Sequence, residues 1–304
     1  MESSFVKKLM NPKTKKPLIF NQKLKALVDS DSNTSFPIIN NVPILLVNSE
    51  EVVESVSKFH NEVDSNFNYV DHYQKDAIEC DYNKEITNKA TLHENKRLYQ
   101  KILNWIKIPN TTILDVGCGR AWVAKNLLKK EHLQIISFDI SNQNPIQALK
   151  NYPSKNHFGL VGDVFNIPIQ PNSIDYIIAS EIIEHVANPK IFIAKLLTVL
   201  KTGGKLIITT PYDEKIETSL CIHCNKPTPR HAHIHSFNEK NFKKNLPKDG
   251  ITYIFDNFNN NLLLKLKSHV IIQYLPHFLW NMIDSIFNKI FGAPTRLLIQ
   301  ITKE

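Results

Sequence analysis

Short apolar segments and amphipathic segments alternate regularly between residues 93 and 211. The apolar segments TILDV, LQIISFDI, HFGLVGD, SIDYIIAS and GKLIITTP have the length and composition of strands. Segments with apolar residues at helical spacing precede and separate them, and PKIFIAKLLTVLK is one example. Because several strands are almost wholly apolar, both faces of the sheet must be covered. The order therefore predicts an α/β fold, with a doubly wound parallel sheet between two layers of helices.

A glycine-containing turn joins the first strand to the next helix, in TTILDVGCGRAWVAKNLL. The chain has only 8 glycines, so Gly117 and Gly119 so close together indicate a backbone that a ligand approaches. Such a corner favours nucleotide binding, and Asp139 ends the next strand about 20 residues later, where it can accept ribose hydroxyls. The dinucleotide pattern needs a third glycine. Ala121 and Trp122 occupy that place, which argues against a pyrophosphate on the helix end.

Further acidic residues lie at the ends of the same strands. Asp115 precedes the two glycines, Asp163 ends the third strand, and Glu181 lies just past the fourth. The carboxyl ends of parallel strands converge on one crevice, so we expect these carboxylates to line a shared site. They suit a ligand with hydroxyls, an exocyclic amine and a cationic centre, and they do not suit a phosphate.

The stretches ILDVGCGRAWVAKNL, ISFDIS, GDVFNIPIQPNSIDYIIASEIIEHV and LKTGGKLIITTP resemble the class I S-adenosylmethionine-dependent methyltransferases in order and spacing. The resemblance covers residues 93–213 and is greatest to the branch of the ubiquinone and menaquinone methyltransferases. It implies a Rossmann-like seven-stranded sheet whose last strand is antiparallel, with strands six and seven at residues 251–257 and 295–303. It also implies an enzyme that uses S-adenosyl-L-methionine as its cofactor.

Carried over residue by residue, the resemblance implies a cofactor site of these residues: Asp115, Gly117, Cys118, Gly119, Asp139, Ile140, Asp163, Val164 and Glu181. The ribose would lie at Asp139 and the adenine amine at Asp163. Glu181 and His185 would lie where the methyl group is transferred, and they are the candidate catalytic residues. His185 is the first candidate for a general base, and the alternative is a helix-start histidine that shapes the pocket.

The site predicts methyl transfer to a small molecule, a glycan or a lipid precursor, on oxygen or carbon rather than nitrogen. Two alternatives stay open: an RNA methyltransferase, and a non-catalytic protein that binds cofactor or RNA and activates another protein. The formal net charge of +8 permits RNA. The basic clusters, however, do not alternate with aromatic residues as they do in single-strand binders, so a solvated basic surface is favoured.

A cysteine- and histidine-rich insert, residues 212–240, follows the fifth strand. In CIHCNKPTPRHAHIHSF, Cys221 and Cys224 have the spacing of a metal knuckle. His231, His233 and His235 alternate, so an extended chain would point them to one face, and two of them would complete a tetrahedral zinc site. The alternative is a substrate loop with free thiols, whose histidines contact the acceptor.

Two units precede the main domain, which we predict to span residues 93–304. Residues 1–48 resemble the small zinc-ribbon-like domain found before many bacterial methyltransferases, and the activator subunit of tRNA and protein methyltransferases. That family has two pairs of cysteines, four positions in all. This chain has Asn11, Thr14, Asp29 and Ser32 at about these positions, so no metal is expected here. Residues 49–92 are predicted to form a helical segment that covers the main domain.

A helical insert at residues 262–291 contains the apolar segment HVIIQYLPHFLWNMIDSIFNKIFG. We predict a helix pair packed on the sheet; the alternatives are a lid over an apolar acceptor and a peripheral membrane contact. No run of about 18 apolar residues exists, so no transmembrane segment is expected. The four cysteines lack the pattern of a secreted disulfide framework. We therefore predict a cytoplasmic protein, with a contact at the inner membrane surface left open.

Overall fold

The computed structural model describes residues 2–29, 31, 34–47, 69–79, 84–107, 110–130, 132–220, 225 and 227–304. The helix predicted in SEEVVESVSKFHNEV lies outside these residues. The described strands are β1 (Ile19–Asn21), β2 (Ala26–Asp29), β3 (Thr34–Ile39), β4 (Val42–Leu45), β5 (Thr111–Val116), β6 (Leu133–Asp139), β7 (His157–Gly162), β8 (Ile174–Ser180), β9 (Leu200–Pro211), β10 (Thr218–Leu220), β11 (Pro227–Pro229), β12 (Ile251–Asn260) and β13 (Pro294–Lys303).

Most of these strands form one sheet, in the order β1-β2-β3-β4-β7-β6-β5-β8-β9-β13-β12, while β10 and β11 form a separate hairpin. Strands β7, β6, β5, β8 and β9 pair in parallel, and β13 is antiparallel to both of its neighbours. Every residue of β5 and β7 is buried, as expected for strands that are covered on both faces. The prediction of a seven-stranded Rossmann-like sheet with an antiparallel last strand is confirmed by β5 to β9, β12 and β13.

The N-terminal strands extend this sheet instead of forming one of their own. β4 pairs in parallel with β7, and Ile44 lies opposite Val161. The side chain of Phe5 is buried in the same core as the central strands, and its ring stacks on Phe158 with 4.6 Å between the ring centroids. The sheet and the core are thus continuous between the two parts. The division into domains at residue 48 stays a prediction.

Three of the four positions that carry cysteines in the related zinc-ribbon-like domains lie together. Asn11 Nδ2 donates to Asp29 Oδ2 at 2.7 Å, and Thr14 Oγ1 donates to the same oxygen at 2.6 Å. Asp29 is buried, and its other oxygen accepts the backbone N–H of Asp31. Ser32 lies outside the described residues. Hydrogen bonds therefore join the two chain segments at this place, and the likeness to a zinc ribbon stays a prediction.

The described α-helices are Ser3–Val6, Tyr69–Glu79, Lys89–Asn104, Trp122–Leu127, Gln143–Asn151, Pro189–Val199, Glu239–Phe242, Asn261–Lys265, His269–Ile272 and His277–Phe291. The helix before β5, Lys89–Asn104, begins before residue 93, where the apolar pattern starts. The Asn88 side chain caps it there by accepting the N–H groups of Ala90 and Thr91. No described helix has both the length and the apolar content needed to cross a bilayer.

The helical insert packs on the sheet through one face only. In helix His277–Phe291 the buried residues are Trp280 and Asp284. The Asp284 carboxylate accepts the backbone N–H groups of Asn259 and Asn260 at 3.0 and 2.8 Å, which fixes the helix to the end of β12. The apolar side chains of the opposite face are exposed. The helix pair packed on the sheet stays a prediction.

Candidate active site

The strand order creates a crevice at the carboxyl ends of the central strands. β5 lies next to β8 in the sheet. From β5 the chain continues to β6 on one side of this pair, and from β8 it continues to β9 on the other side. At such a reversal the loops diverge and leave space for a ligand. The residues that follow β5, β6, β7 and β8 are the ones that the sequence predicts for the cofactor site, and the sheet brings them to one edge.

The glycine turn after β5 has the conformation that its residues suggest. Gly117 and Gly119 have φ of +65° and +40°, where side chains other than glycine are strained. A Cβ atom on Gly117 would lie 2.2 Å from Ile182 Cδ1, so this glycine permits close packing of the loop after β8. A Cβ atom on Gly119 would meet nothing nearer than a backbone oxygen at 4.0 Å, so the chain is open there. Ala121 also has a positive φ, of 52°, a conformation that glycine adopts more readily than alanine.

Two buried carboxylates flank the turn. Asp139 accepts hydrogen bonds from the N–H of Ser141 at 2.9 Å, from Asn144 Nδ2 at 3.0 Å and from the N–H of Gly119 at 3.4 Å. Asp115 Oδ2 is buried and has no hydrogen-bond partner among the described residues. Burial raises the pKa of both carboxyls, and the charge of Asp139 raises that of Asp115 further. This pair provides hydrogen-bond acceptors in a desolvated place, where a cation next to the carboxyls would favour their charged forms.

Cys118 and Ile140 also lie at this corner. Cys118 Sγ is 3.9 Å from Asp139 Oδ2, and burial raises the pKa of the thiol well above its usual range, which keeps it protonated. The carbonyl of Ile140 accepts from Gln74 Nε2 at 2.9 Å, and Gln74 Oε1 accepts the N–H of Asn142. Helix Tyr69–Glu79 therefore lies over the end of β6, as expected for a covering segment.

The turn after β7 is built around Asp163. Its carboxylate accepts the N–H of Phe165 at 3.0 Å and Asn166 Nδ2 at 3.2 Å, and it caps the 3₁₀ turn Val164–Asn166. Val164 is partly buried against the main core. The cap holds a buried carboxylate at the end of β7, where the resemblance places the adenine amine.

Glu181 follows β8 in a left-handed conformation with φ of +57°. Its Oε2 is 3.1 Å from Arg296 Nε, while its Oε1 is buried without a partner. The negative charges of Glu181, Glu94, Glu184 and Glu214 raise the pKa of Arg296, against the effect of burial. Sequence analysis missed Arg296, because only the antiparallel pairing of β13 with β9 brings it to the site.

Glu184 is a second residue that sequence analysis missed, although it directly precedes His185. It is buried, and among the described residues neither of its carboxylate oxygens has a close hydrogen-bond partner, although the Thr210 side chain interacts with the carboxylate. Burial and the nearby charge of Glu181 raise its pKa well above the usual range. A carboxyl group without close partners in such a place is costly, and it indicates a ligand that satisfies it.

His185 follows Glu184 at the part of the crevice after β8, here named the acceptor mouth. Its Nδ1 is 3.2 Å from the carbonyl of Ala232, and the Tyr73 hydroxyl donates to its backbone carbonyl at 3.4 Å. The ring meets that of His233 edge-on, with 4.8 Å between centroids. Burial, and secondarily the neighbouring His233, lower the pKa of His185 to about 4. The ring is therefore neutral at physiological pH. Because Nδ1 faces a carbonyl oxygen, it carries the proton, and Nε2 has the lone pair that can accept another.

The cysteine and histidine insert lies against this mouth. The N–H groups of Ile234 and His235 both donate to the carbonyl of Glu184. His233 Nδ1 is 2.6 Å from Glu214 Oε2, and His235 Nε2 is 3.0 Å from the carbonyl of Val186. The insert thus touches the acceptor side rather than extending away from it.

The predicted zinc ligands are only partly described. Cys221 and Cys224 lie outside the described residues. The ring centroids of His231 and His233 are 5.9 Å apart. A different group, Glu184, His185 and His233, offers three ligand atoms that lie within 4.8 Å of one another. Zinc at the insert stays a prediction.

An aromatic pair closes the other side of the glycine turn. The rings of Tyr99 and Trp122 stack with 4.1 Å between centroids and 8° between planes. Burial raises the pKa of Tyr99 to about 12, and the charges of Asp115 and Glu181 contribute. In the sequence, the bulk of Trp122 argues against a pyrophosphate on the helix end, but no local pattern marks Tyr99, which comes from helix Lys89–Asn104.

Comparison with known proteins agrees with this geometry. The pattern of the methyltransferase-domain family matches residues 86–254, more than half of the chain, and the chain belongs to this family. The malonyl-(acyl-carrier protein) O-methyltransferase of Hahella chejuensis is 26% identical over 99 residues, which are 32% of this chain and 36% of that protein. The ubiquinone biosynthesis O-methyltransferase of Bradyrhizobium diazoefficiens is 29% identical over 100 residues, 32% of this chain and 39% of that protein.

The fold of this chain is also similar to that of a solved structure. The S-adenosylmethionine-dependent methyltransferase of Mesorhizobium loti is 13% identical, with a TM-score of 0.50 over 69% of this chain and 99% of that one. At this identity the likeness concerns the fold alone. The chain matches just over a third of the length of the two curated relatives.

Proposed function

We propose that the protein transfers a methyl group from S-adenosyl-L-methionine to a hydroxyl-bearing small molecule, glycan or lipid precursor. The observation that carries this proposal is the open glycine turn between two buried carboxylates, at the strand reversal of a methyltransferase-family sheet. When bound, the cofactor supplies a methyl group on a cationic sulfur. The carboxylates, and not phosphate-binding groups, are what such a ligand needs.

The residues present fit the cofactor. Asp115 has a buried oxygen without a partner, close to the place of the cationic end. Asp139 would accept a ribose hydroxyl with the lone pair that the N–H groups of Ser141, Gly119 and Asn144 leave, and Asp163 would accept the adenine amine. The open side of Gly119 gives room for the ligand next to the backbone.

The acceptor side favours hydroxyl groups. Several buried oxygen atoms there have no close hydrogen-bond partner among the described residues: Glu181 Oε1, both carboxylate oxygens of Glu184, and Thr295 Oγ1. An acceptor with several hydroxyls would satisfy them, which supports O-methylation over transfer to an apolar carbon. The two curated relatives are named as O-methyltransferases, which agrees with this choice. We propose that the reaction takes place in the cytoplasm.

Calorimetry with S-adenosyl-L-methionine, and with its demethylated product, is the first experiment. We expect binding of one ligand per chain, with transfer of labelled methyl to hydroxylated acceptors. Absence of binding at millimolar cofactor would overturn the enzyme proposal. Cofactor or RNA binding without any methyl transfer would favour the non-catalytic activator, and RNA affinity that falls steeply with salt would identify a nucleic-acid partner.

His185 is our candidate for the general base, and its removal is a specific test. His185→Asn should lower kcat by about 100-fold or more, because a positioned base contributes about that factor. Since the pKa of His185 is lowered to about 4, the rate of the native protein should stay level down to about pH 5 and fall only as the ring is protonated. The measurement is a kcat profile against pH with saturating cofactor.

His132→Asn is the matched control, since His132 is exposed and directly precedes β6, at the opposite end of the strands from the site. It should leave kcat unchanged. An equal loss in both variants would show that the effect does not come from a base at His185. The lowered pKa also destabilises the fold in acid, because as the pH falls from about 6.5 towards 4 the unfolded chain takes up the proton first. The profile must therefore be measured together with a fold readout.

Zinc at the insert is a separate proposal, with Cys221, Cys224 and two of the three histidines as ligands. Purified protein should carry about one metal equivalent, and retention should fall in acid because the thiolates take up protons. Cys221→Ser should release the metal without changing cofactor affinity, because the insert does not build the glycine turn. Metal-free protein with an ordered insert would refute this. Loss of metal in Glu184→Gln but not in Cys221→Ser would place the ion at Glu184, His185 and His233 instead.

A further inference from the structure

Residues 261–293 contain an unusual concentration of exposed apolar side chains. Of the 19 large hydrophobic residues that the described part of the chain exposes, 9 belong to this segment: Leu266, Val270, Ile271, Tyr274, Phe278, Met282, Ile286, Ile290 and Phe291. The most exposed are Tyr274 at 82% and Ile271 at 74%. Scattered single residues of this kind are normal on a protein surface, but a contiguous group marks an interaction site.

The sequence spacing places these side chains on one face of the longer helix. Phe278, Met282, Ile286 and Ile290 follow one another at intervals of four along helix His277–Phe291, so they form a single stripe. The buried residues Trp280 and Asp284 lie on the other face and fix the helix to the end of β12. The apolar stripe is therefore held outward by contacts on the opposite face.

The charges of the segment have one sign at the surface. Lys265, Lys267 and Lys289 are exposed. The only acidic residue of the segment is Asp284, which is buried. A segment with an outward apolar stripe, three exposed lysines and no exposed acid of its own has the composition of a helix that lies in the surface of an anionic bilayer.

We propose that residues 261–293, here named the apolar face, bind the protein to the surface of an anionic membrane without crossing it. The aromatic and aliphatic side chains of the stripe would enter the boundary between head groups and acyl chains, and the three lysines would contact lipid phosphates. The proposal concerns membrane contact and does not depend on methyl transfer.

The apolar face is connected to the candidate active site through helix Lys89–Asn104. Arg97 of that helix donates to the carbonyls of Ile272 and Leu275 at 2.7 and 3.0 Å. Glu94 of the same helix interacts electrostatically with Arg296 at the acceptor mouth. Helix Lys89–Asn104 therefore joins the apolar face to the region of the acceptor mouth.

Vesicle binding tests the proposal on the full-length protein. The probe is vesicles of phosphatidylcholine containing phosphatidylglycerol as a minor component, compared with vesicles of phosphatidylcholine alone. We expect co-flotation with the anionic vesicles and binding that weakens with added salt, because the lysine contribution is screened. The triple variant Phe278→Ser, Met282→Ser, Ile286→Ser should lower the partition coefficient by about tenfold or more.

The matched control is Leu24→Ser with Ile254→Ser, two exposed apolar residues on other parts of the surface, at 62% and 51% exposure. This variant should bind vesicles like the native protein. Equal binding by all variants, or no binding to anionic vesicles, would overturn the proposal. So would a stable dimer in solution that the triple variant dissociates, since a second copy would then cover the apolar face. Calorimetry with the cofactor is independent of these outcomes and tests the proposed function separately.

Discussion

Asp139→Ala should weaken the binding of S-adenosyl-L-methionine by about 100-fold. A ribose hydroxyl that donates to the remaining lone pair of this carboxylate contributes about 1.5–3 kcal/mol, and the upper end of this range corresponds to about 100-fold in affinity. Asp139 is buried at the end of β6 and also holds the N–H of Gly119, so its removal loosens the glycine turn as well. The measurement is calorimetric titration of native and variant protein.

Two variants separate these contributions. Asp139→Asn keeps the size of the side chain and one acceptor oxygen, so its loss should be smaller than that of the alanine variant. Asp256→Ala removes an acid from edge strand β12, where it pairs with Lys101, and should leave cofactor affinity unchanged. Unchanged affinity in Asp139→Ala would show that the ribose does not lie at this residue.

Phe5→Ala should destabilise the whole protein, not only its N-terminal unit. Phe5 is 1% exposed and stacks on Phe158 in the core shared with the central strands. Truncation of a buried phenylalanine costs about 3–5 kcal/mol, which corresponds to a fall in Tm of about 10 °C for a chain of this size. Because the sheet is continuous through β4 and β7, we expect one unfolding transition that shifts as a unit. Scanning calorimetry with and without cofactor measures it.

Ile19→Ala is the control within the same unit, because Ile19 is 58% exposed and its truncation should change Tm little. Two separate transitions, of which Phe5→Ala shifts only the first, would contradict a shared core. That result would instead support residues 1–48 as an independent domain, which the sequence predicts.

The covering segment shows what local sequence patterns can and cannot predict. Residues 49–92 are predicted to form a helical segment that covers the main domain. The described helix Tyr69–Glu79 does contact the end of β6 through Gln74. The same patterns do not give the partners of its side chains. That Tyr73 reaches the backbone of His185 depends on where the helix crosses the crevice, which is set by packing and not by helical periodicity.

The sequence by itself determined the parallel sheet, the glycine turn and the acidic residues at the strand ends. These features depend on short-range causes: the alternation of strand and helix patterns, the freedom of glycine at positive φ, and the convergence of parallel strands at one edge. Tertiary structure alone decided the continuation of the sheet through β4 and the outward orientation of the helical stripe. It also decided the meeting of Arg296 with Glu181. In each case the partners are far apart in sequence, and they meet because strand pairing and core packing bring them together, with no local pattern that marks them in advance.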